Sequence, residues 1–178
     1  MTPSEQIWSV PVRADDVPEG GRHVELHADS RTREALARPA GLLDLARLDA
    51  IFDLTRQGRG GLRVTGTVSA AVRQACVVTL EPVDNEVEEA FDLVFVPGHE
   101  ASGAAVSPDG TVDVSAPEPL ISGIVDLGAI ATEFLMLGID PYPRKPGAVF
   151  TAPAAEGASD HPFAALAALQ KGRRDDGQ

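Results

Sequence analysis

From Leu48 to Val96 apolar and polar residues alternate with the two-residue period of a β-strand in three successive runs, and no other feature limits the fold as strongly. Leu48, Ala50, Phe52 and Leu54 mark one face of the first run. Gln57-Gly58-Arg59-Gly60-Gly61 follows, a stretch rich in residues free to adopt positive φ and therefore suited to reversing the chain. The returning run sets Leu62, Val64, Gly66 and Val68 against Arg63, Thr65, Thr67 and Ser69 and continues towards Val72. After Cys76-Val77-Val78-Thr79-Leu80-Glu81-Pro82 a third run, Val83 to Val96, carries Val87, Phe91, Leu93 and Phe95 opposite Glu86, Glu88, Glu89 and Asp92. Three consecutive strands joined by short turns make an antiparallel meander.

The flanking segments supply edges and covering helices. Ile7, Trp8, Val10 and Val12 read as an edge strand, a position compatible with Pro11. Beyond the turn Asp15 to Gly21, His23-Val24-Glu25-Leu26-His27 alternates as a further strand. Asp29 or Ser30 caps a short helix through Arg38, which Pro39 cannot continue. Pro97 to Pro119 offers too little apolar surface to offset the ordering entropy of about 1–2 kcal/mol per residue, and is expected to be a flexible loop. Asp126 opens the best helix, with Leu127, Ile130, Ala131, Phe134, Leu135 and Leu137 near helical spacing and Pro141 and Pro143 beyond its end. Residues 144–160 read as a linker, and His161 to Lys171 as an alanine-rich amphipathic helix with Pro162 at its first position. The expected architecture is α+β: a twisted antiparallel sheet, with curling towards a barrel open as a variant, packed helices and a flexible C-terminal helix. The expected domain spans 1–143, followed by the linker and a 161–178 helix and tail. Aromatic residues make up only 4% of the chain, so its core is expected to be aliphatic.

Charge narrows the function. The formal net charge is -12, and the imbalance sits in the second half, where residues 81–178 hold five basic and seventeen acidic side chains. Such a chain is a poor indiscriminate binder of nucleic acid, which requires Lys and Arg to displace counterions, and no DNA partner is expected. There is no run of about 18 apolar residues and no secretion-signal succession at the start, so the expected address is cytoplasmic, with no membrane partner. The single cysteine, Cys76, and the scattered His23, His27, His99 and His161 have no metal-ligand spacing, so neither metal nor cofactor is expected. His23 and His27 fall on one polar strand face. Cys76 reads as a small buried hydrophobe, and the glutamates as the solvent face of a strand. Gly58-Arg59-Gly60-Gly61 precedes a strand rather than a helix, which excludes a phosphate loop. No catalytic residue and no enzymatic activity are expected.

One positive block interrupts the negative chain. Arg56, Arg59, Arg63 and Arg73 stand in a stretch, Thr55 through Leu80, that contains no acid. It has two readings: a solvated outer face that needs no partner, or a phosphate-contacting patch for RNA. The stretch lacks aromatic residues for base stacking, so the second reading implies recognition of backbone and shape.

Three stretches resemble the YceD-like family of large ribosomal RNA subunit accumulation proteins. The first runs from Gly66-Thr67-Val68 through Cys76 and Glu81-Pro82 to Phe91 and Phe95; the second from Val125-Asp126-Leu127 through Glu133-Phe134 to Pro141 and Pro143; the third is His161-Pro162-Phe163 to Lys171. The motif residues are Cys76, Glu81, Pro82, Asp126, Glu133, Pro162 and Phe163. The chain departs from many members at a Cys-x-x-Cys pair: Cys76 is present, Thr79 holds the second position, and no cysteine stands near Pro143. The resemblance implies a bacterial-type, non-enzymatic factor that supports the synthesis, processing or stability of large-subunit ribosomal RNA. Its expected partner is that RNA or a pre-ribosomal assembly protein. The acidic second half leaves open an alternative, a protein-binding adaptor without RNA contact.

Overall fold

A computed structural model describes residues 6–58, 60–98 and 117–150. Arg59, His99, His161, Pro162, Phe163, the predicted 161–171 helix and most of the predicted 97–119 loop lie outside them. The elements, in chain order, are β1 (Pro11–Arg13), β2 (Arg22–His27), α1 (Ser30–Ala37), β3 (Asp44–Gln57), β4 (Gly61–Ala75), β5 (Pro82–Pro97), β6 (Glu118–Leu120), β7 (Ile124–Asp126) and α2 (Leu127–Gly138). All belong to one compact unit, Met1–Ala148.

The meander predicted from alternation forms the centre of a five-stranded sheet in the order β2-β3-β4-β5-β6. β2 through β5 pair antiparallel; β6 joins β5 in parallel, Phe95 opposite Glu118. The sheet is open, with β2 and β6 as its edge strands, rather than curled into a barrel. At the β3–β4 turn Gly58 (φ 53°) and Gly60 (φ 83°) take the positive φ that the glycine-rich stretch allows. A register shift between Leu45 and Arg47 bulges β3 near its start.

The inner face of the sheet carries the core. Phe52, Leu54, Leu62, Val64 and Val68 are fully buried, each contributing about 1.5–3 kcal/mol relative to exposure. The core is less purely aliphatic than composition implied. Phe91 lies between Phe52 (ring centroids 5.4 Å apart) and Phe134 of α2 (4.7 Å), so three of the few aromatics concentrate where the helix meets the sheet. Gly66 makes room for this: a Cβ there would collide with the Ile51 carbonyl oxygen and lie 2.7 Å from the Phe91 ring. Glu89, expected among the outward acids, shares the register side of Val87 and Phe91 and lies against Gly138, where an added Cβ would stand 2.7 Å from Glu89 Cγ.

Both helices start where capping chemistry predicts. The Asp29 carboxylate accepts the Thr32 amide (2.7 Å), and Asp126 accepts the amides of Gly128 (3.0 Å) and Ala129 (3.2 Å). Asp126 also accepts the Val10 amide (2.8 Å) and the Ser9 hydroxyl (2.5 Å). That tether explains why the N-terminal apolar run leaves the main sheet. Its strand begins only at Pro11 and pairs with β7, Pro11 opposite Asp126, in a separate two-stranded ribbon. Trp8 is buried, and Gly128 permits the approach: a Cβ there would lie 2.6 Å from the Trp8 carbonyl oxygen.

Candidate functional site

Of the four arginines singled out by the sequence, the three among the described residues, Arg56, Arg63 and Arg73, do not converge. Arg56 sits opposite Leu62 in the register, whereas Arg63 and Arg73 alternate onto the other face, ten positions apart on one strand, about 33 Å at strand rise. Arg56 Nε donates to the Val17 carbonyl oxygen (2.5 Å) and its terminal nitrogen to that of Asp15 (2.8 Å), fastening the segment after β1 to the end of β3. Arg63 forks onto both Asp92 oxygens (2.8 and 2.5 Å). Arg73 grips Asp84 in the same manner (2.6 and 3.4 Å). In both pairs the hydrogen bond between the partners holds the arginine above and the aspartate below its ordinary pKa. A phosphate arriving at Arg63 or Arg73 would have to displace a carboxylate already seated in a two-pronged contact.

Around these pairs the outer face of the sheet forms a lattice fixed by the register. One cross-strand row reads His23, Asp53, Thr65, Asp92; the next Glu25, Ile51, Thr67, Ala90; the third His27, Asp49, Ser69, Glu88. The three rows contain five carboxylates and two imidazoles, with no lysine or arginine. His23 Nδ1 stands 2.7 Å from Asp53 and His27 Nδ1 2.8 Å from Asp49. The hydrogen bond to Asp53, aided by that to Glu25, raises the His23 pKa above its ordinary 6.5. The two histidines that share a polar face in the sequence therefore serve as cross-strand partners of aspartates. Arg47, which sequence reasoning passed over, sits just past the bulge and donates to Asp49 (3.0 Å), Ser69 (3.0 Å) and Glu86 (2.8 Å), linking three strands. Among the described residues no group of three or more His, Cys, Asp or Glu has the disposition of a metal site.

Most of the family-motif residues that are described occupy structural positions. Cys76, fully buried, directly follows β4 and begins a tight turn in which its amide donates to the Glu81 carbonyl (2.8 Å) and its carbonyl accepts from Leu80 (2.9 Å). Leu80 holds φ 61° to close the turn. The Cys76 sulfur accepts the amides of Val78 (3.4 Å), Thr79 (3.5 Å) and, from a segment far along the chain, Lys145 (3.3 Å). The Lys145 amide first, then the hydroxyl and amide of Thr79 and the amide of Val78, draw the thiol pKa down from 9.0 to about 6, against the opposing effect of burial. Glu81 pairs with Lys145 Nζ (3.0 Å), which lowers the pKa of the carboxylate, and the Val77 amide donates to the Pro143 carbonyl (2.9 Å). Thus Thr79 and Lys145 present amides to the sulfur, and the donor set around it offers no second thiolate. Pro82 opens β5, Asp126 caps α2, and Glu133 is exposed on that helix.

No helix among the described residues is long and apolar enough to cross a membrane. The family model described as large ribosomal RNA subunit accumulation protein YceD matches residues 64–170. The match begins inside β4 and takes in the Cys76 turn, β5, β6, β7 and α2. No curated protein and no solved structure gives a significant match.

Proposed function

The chain belongs to the YceD family of large ribosomal RNA subunit accumulation proteins, and from that premise we propose that it acts in the cytoplasm as a non-enzymatic factor in ribosome biogenesis that works by holding a basic protein partner during large-subunit assembly. The observation that carries this reading is the outer face of the sheet. Its carboxylates outnumber its arginines, and Arg63 and Arg73 are already occupied by Asp92 and Asp84. Proteins that assemble on ribosomal RNA carry excess positive charge, and a negative face is complementary to them while repelling the RNA backbone.

Two measurements test it. Depletion of the protein lowers the amount of large-subunit ribosomal RNA relative to small-subunit RNA; unchanged ratios remove the family-derived role. Affinity capture from native lysate at low and moderate salt, with RNA and protein both identified, recovers a basic protein after nuclease treatment. Recovery of large-subunit RNA that survives loss of bulk ribosomes, falls with salt and requires the arginines at 56, 59, 63 and 73 returns the assignment to direct RNA contact.

A further inference from the structure

β5 is sixteen residues long, but β6 pairs with it only from Phe95 to Pro97. From Asp84 to Val94 its opposite edge faces no strand among the described residues, and no other described residue receives its backbone hydrogen bonds. In an antiparallel ladder every second residue turns both its N–H and its C=O away from the partner strand. About half of this stretch therefore presents a regular row of unpaired donors and acceptors, a template for one more strand. The edge at β2, the other open side of the sheet, is six residues long.

The side chains along this edge select its occupant. Glu86 and Glu88 alternate with Asp84 and Asp92 on the outer face, and Glu89 stands on the other side. Glu88 and Glu89 have no ion-pair or hydrogen-bond partner among the described residues. A second copy of β5 in this place would set these acids against their own kind, which disfavours pairing. A strand with alternating lysine or arginine would set opposite charges side by side while satisfying the backbone.

We propose that the open edge of β5 from Asp84 to Val94 is the docking site for an extended basic segment of a partner protein, which adds to the sheet as a strand. This rests on the reading above that the chain works by contact with a basic protein, and it specifies where and in what conformation.

The test uses the full chain and an eight-residue peptide alternating lysine and valine, blocked at both ends, with binding followed by calorimetry and by amide exchange. Two derivatives carry backbone N-methyl groups, one on every lysine and one on every valine. Strand addition directs only one of these two sets of amides at β5. The expected result is that one derivative binds at least about tenfold more weakly while the other binds like the parent, and that β5 edge amides gain exchange protection. Glu88→Lys, checked for folding by circular dichroism, weakens the parent peptide. Equal binding of both derivatives would mean attraction through side chains alone and overturns the proposal. So does absence of binding, equal binding of a glutamate-for-lysine peptide, or self-association of the chain through this edge in sedimentation. Failure of the peptide with the ribosomal RNA ratio still dependent on the protein removes the edge and leaves the function; the converse result removes the function and leaves the edge.

Discussion

At Cys76 three amides converge on one buried sulfur, and their preference for the thiolate links protonation to folding. The folded pKa is about 6 against an ordinary 9.0, so this group stabilises the fold fully above about pH 9. Its contribution shrinks as pH falls and is gone below about 6. His23 acts in the opposite sense: its raised pKa favours the fold below its ordinary 6.5 and is lost as pH rises through the folded value. The expected outcome is that the difference in Tm between the wild type and Cys76→Ser narrows as pH is lowered from 9 to 6, followed by thermal scans of both proteins. Two neighbouring backbone positions make independent predictions. Leu80 is exposed yet held at φ 61°, a region costly for a side chain with Cβ but tolerated by asparagine. Leu80→Asn therefore raises stability by up to about 1 kcal/mol in urea titration. Gly66→Ala drives a methyl into the Ile51 carbonyl and the Phe91 ring and lowers stability by about 2–3 kcal/mol in the same assay.

Among the elements, α2 depends on a residue that does more than cap it. Asp126→Ala removes the acceptor for the Gly128 and Ala129 amides together with the anchor for Val10 and Ser9. It is expected to cost about 2 kcal/mol and to speed amide exchange in both the first turn of α2 and β1. The cap itself was legible in the sequence as Asp126 ahead of a helical pattern; the tether was not, because hydrogen bonds between residues so far apart leave no local signal. The same division runs through the fold. The meander from Leu48 to Val96 and the two helices follow from alternation, glycine at the turn, Asp29 and Asp126, whereas the start of β3 at Asp44, ahead of the bulge, lies outside the alternating run. β6 was hidden because Pro117 and Pro119 read as breakers, although an edge strand tolerates proline. β7 is three residues long and carries too few positions to display a period. The arginines were visible as a block, but spacing alone does not reveal which partners they have. Asp84 and Asp92 lie on a later strand and reach Arg73 and Arg63 only through the β4–β5 register.

For the whole molecule the governing quantity is its excess of negative charge. The pairs of Arg47, Arg63 and Arg73 are exposed and screened by solvent, and they contribute too little to counter the mutual repulsion of a chain with net charge -12. Raising salt from about 0.01 to 0.15 M therefore raises Tm, because screening relieves repulsion more than it weakens the pairs; a Tm that falls with salt would reverse that balance. The ribbon of β1 and β7 adds a consequence in time. The strands β2 to β5 are neighbours in both sequence and space, so they can associate as soon as they leave the ribosome, whereas Pro11 waits for Asp126 before it has anything to pair with. The N-terminal segment with Trp8 therefore has no partner for its ribbon until Asp126 has been made, and Asp126 is the residue that both anchors Val10 and caps α2, beside the close approach of Trp8 to Gly128. Among the described strands the last to be made thus fastens the first, as a latch closes on a frame already standing.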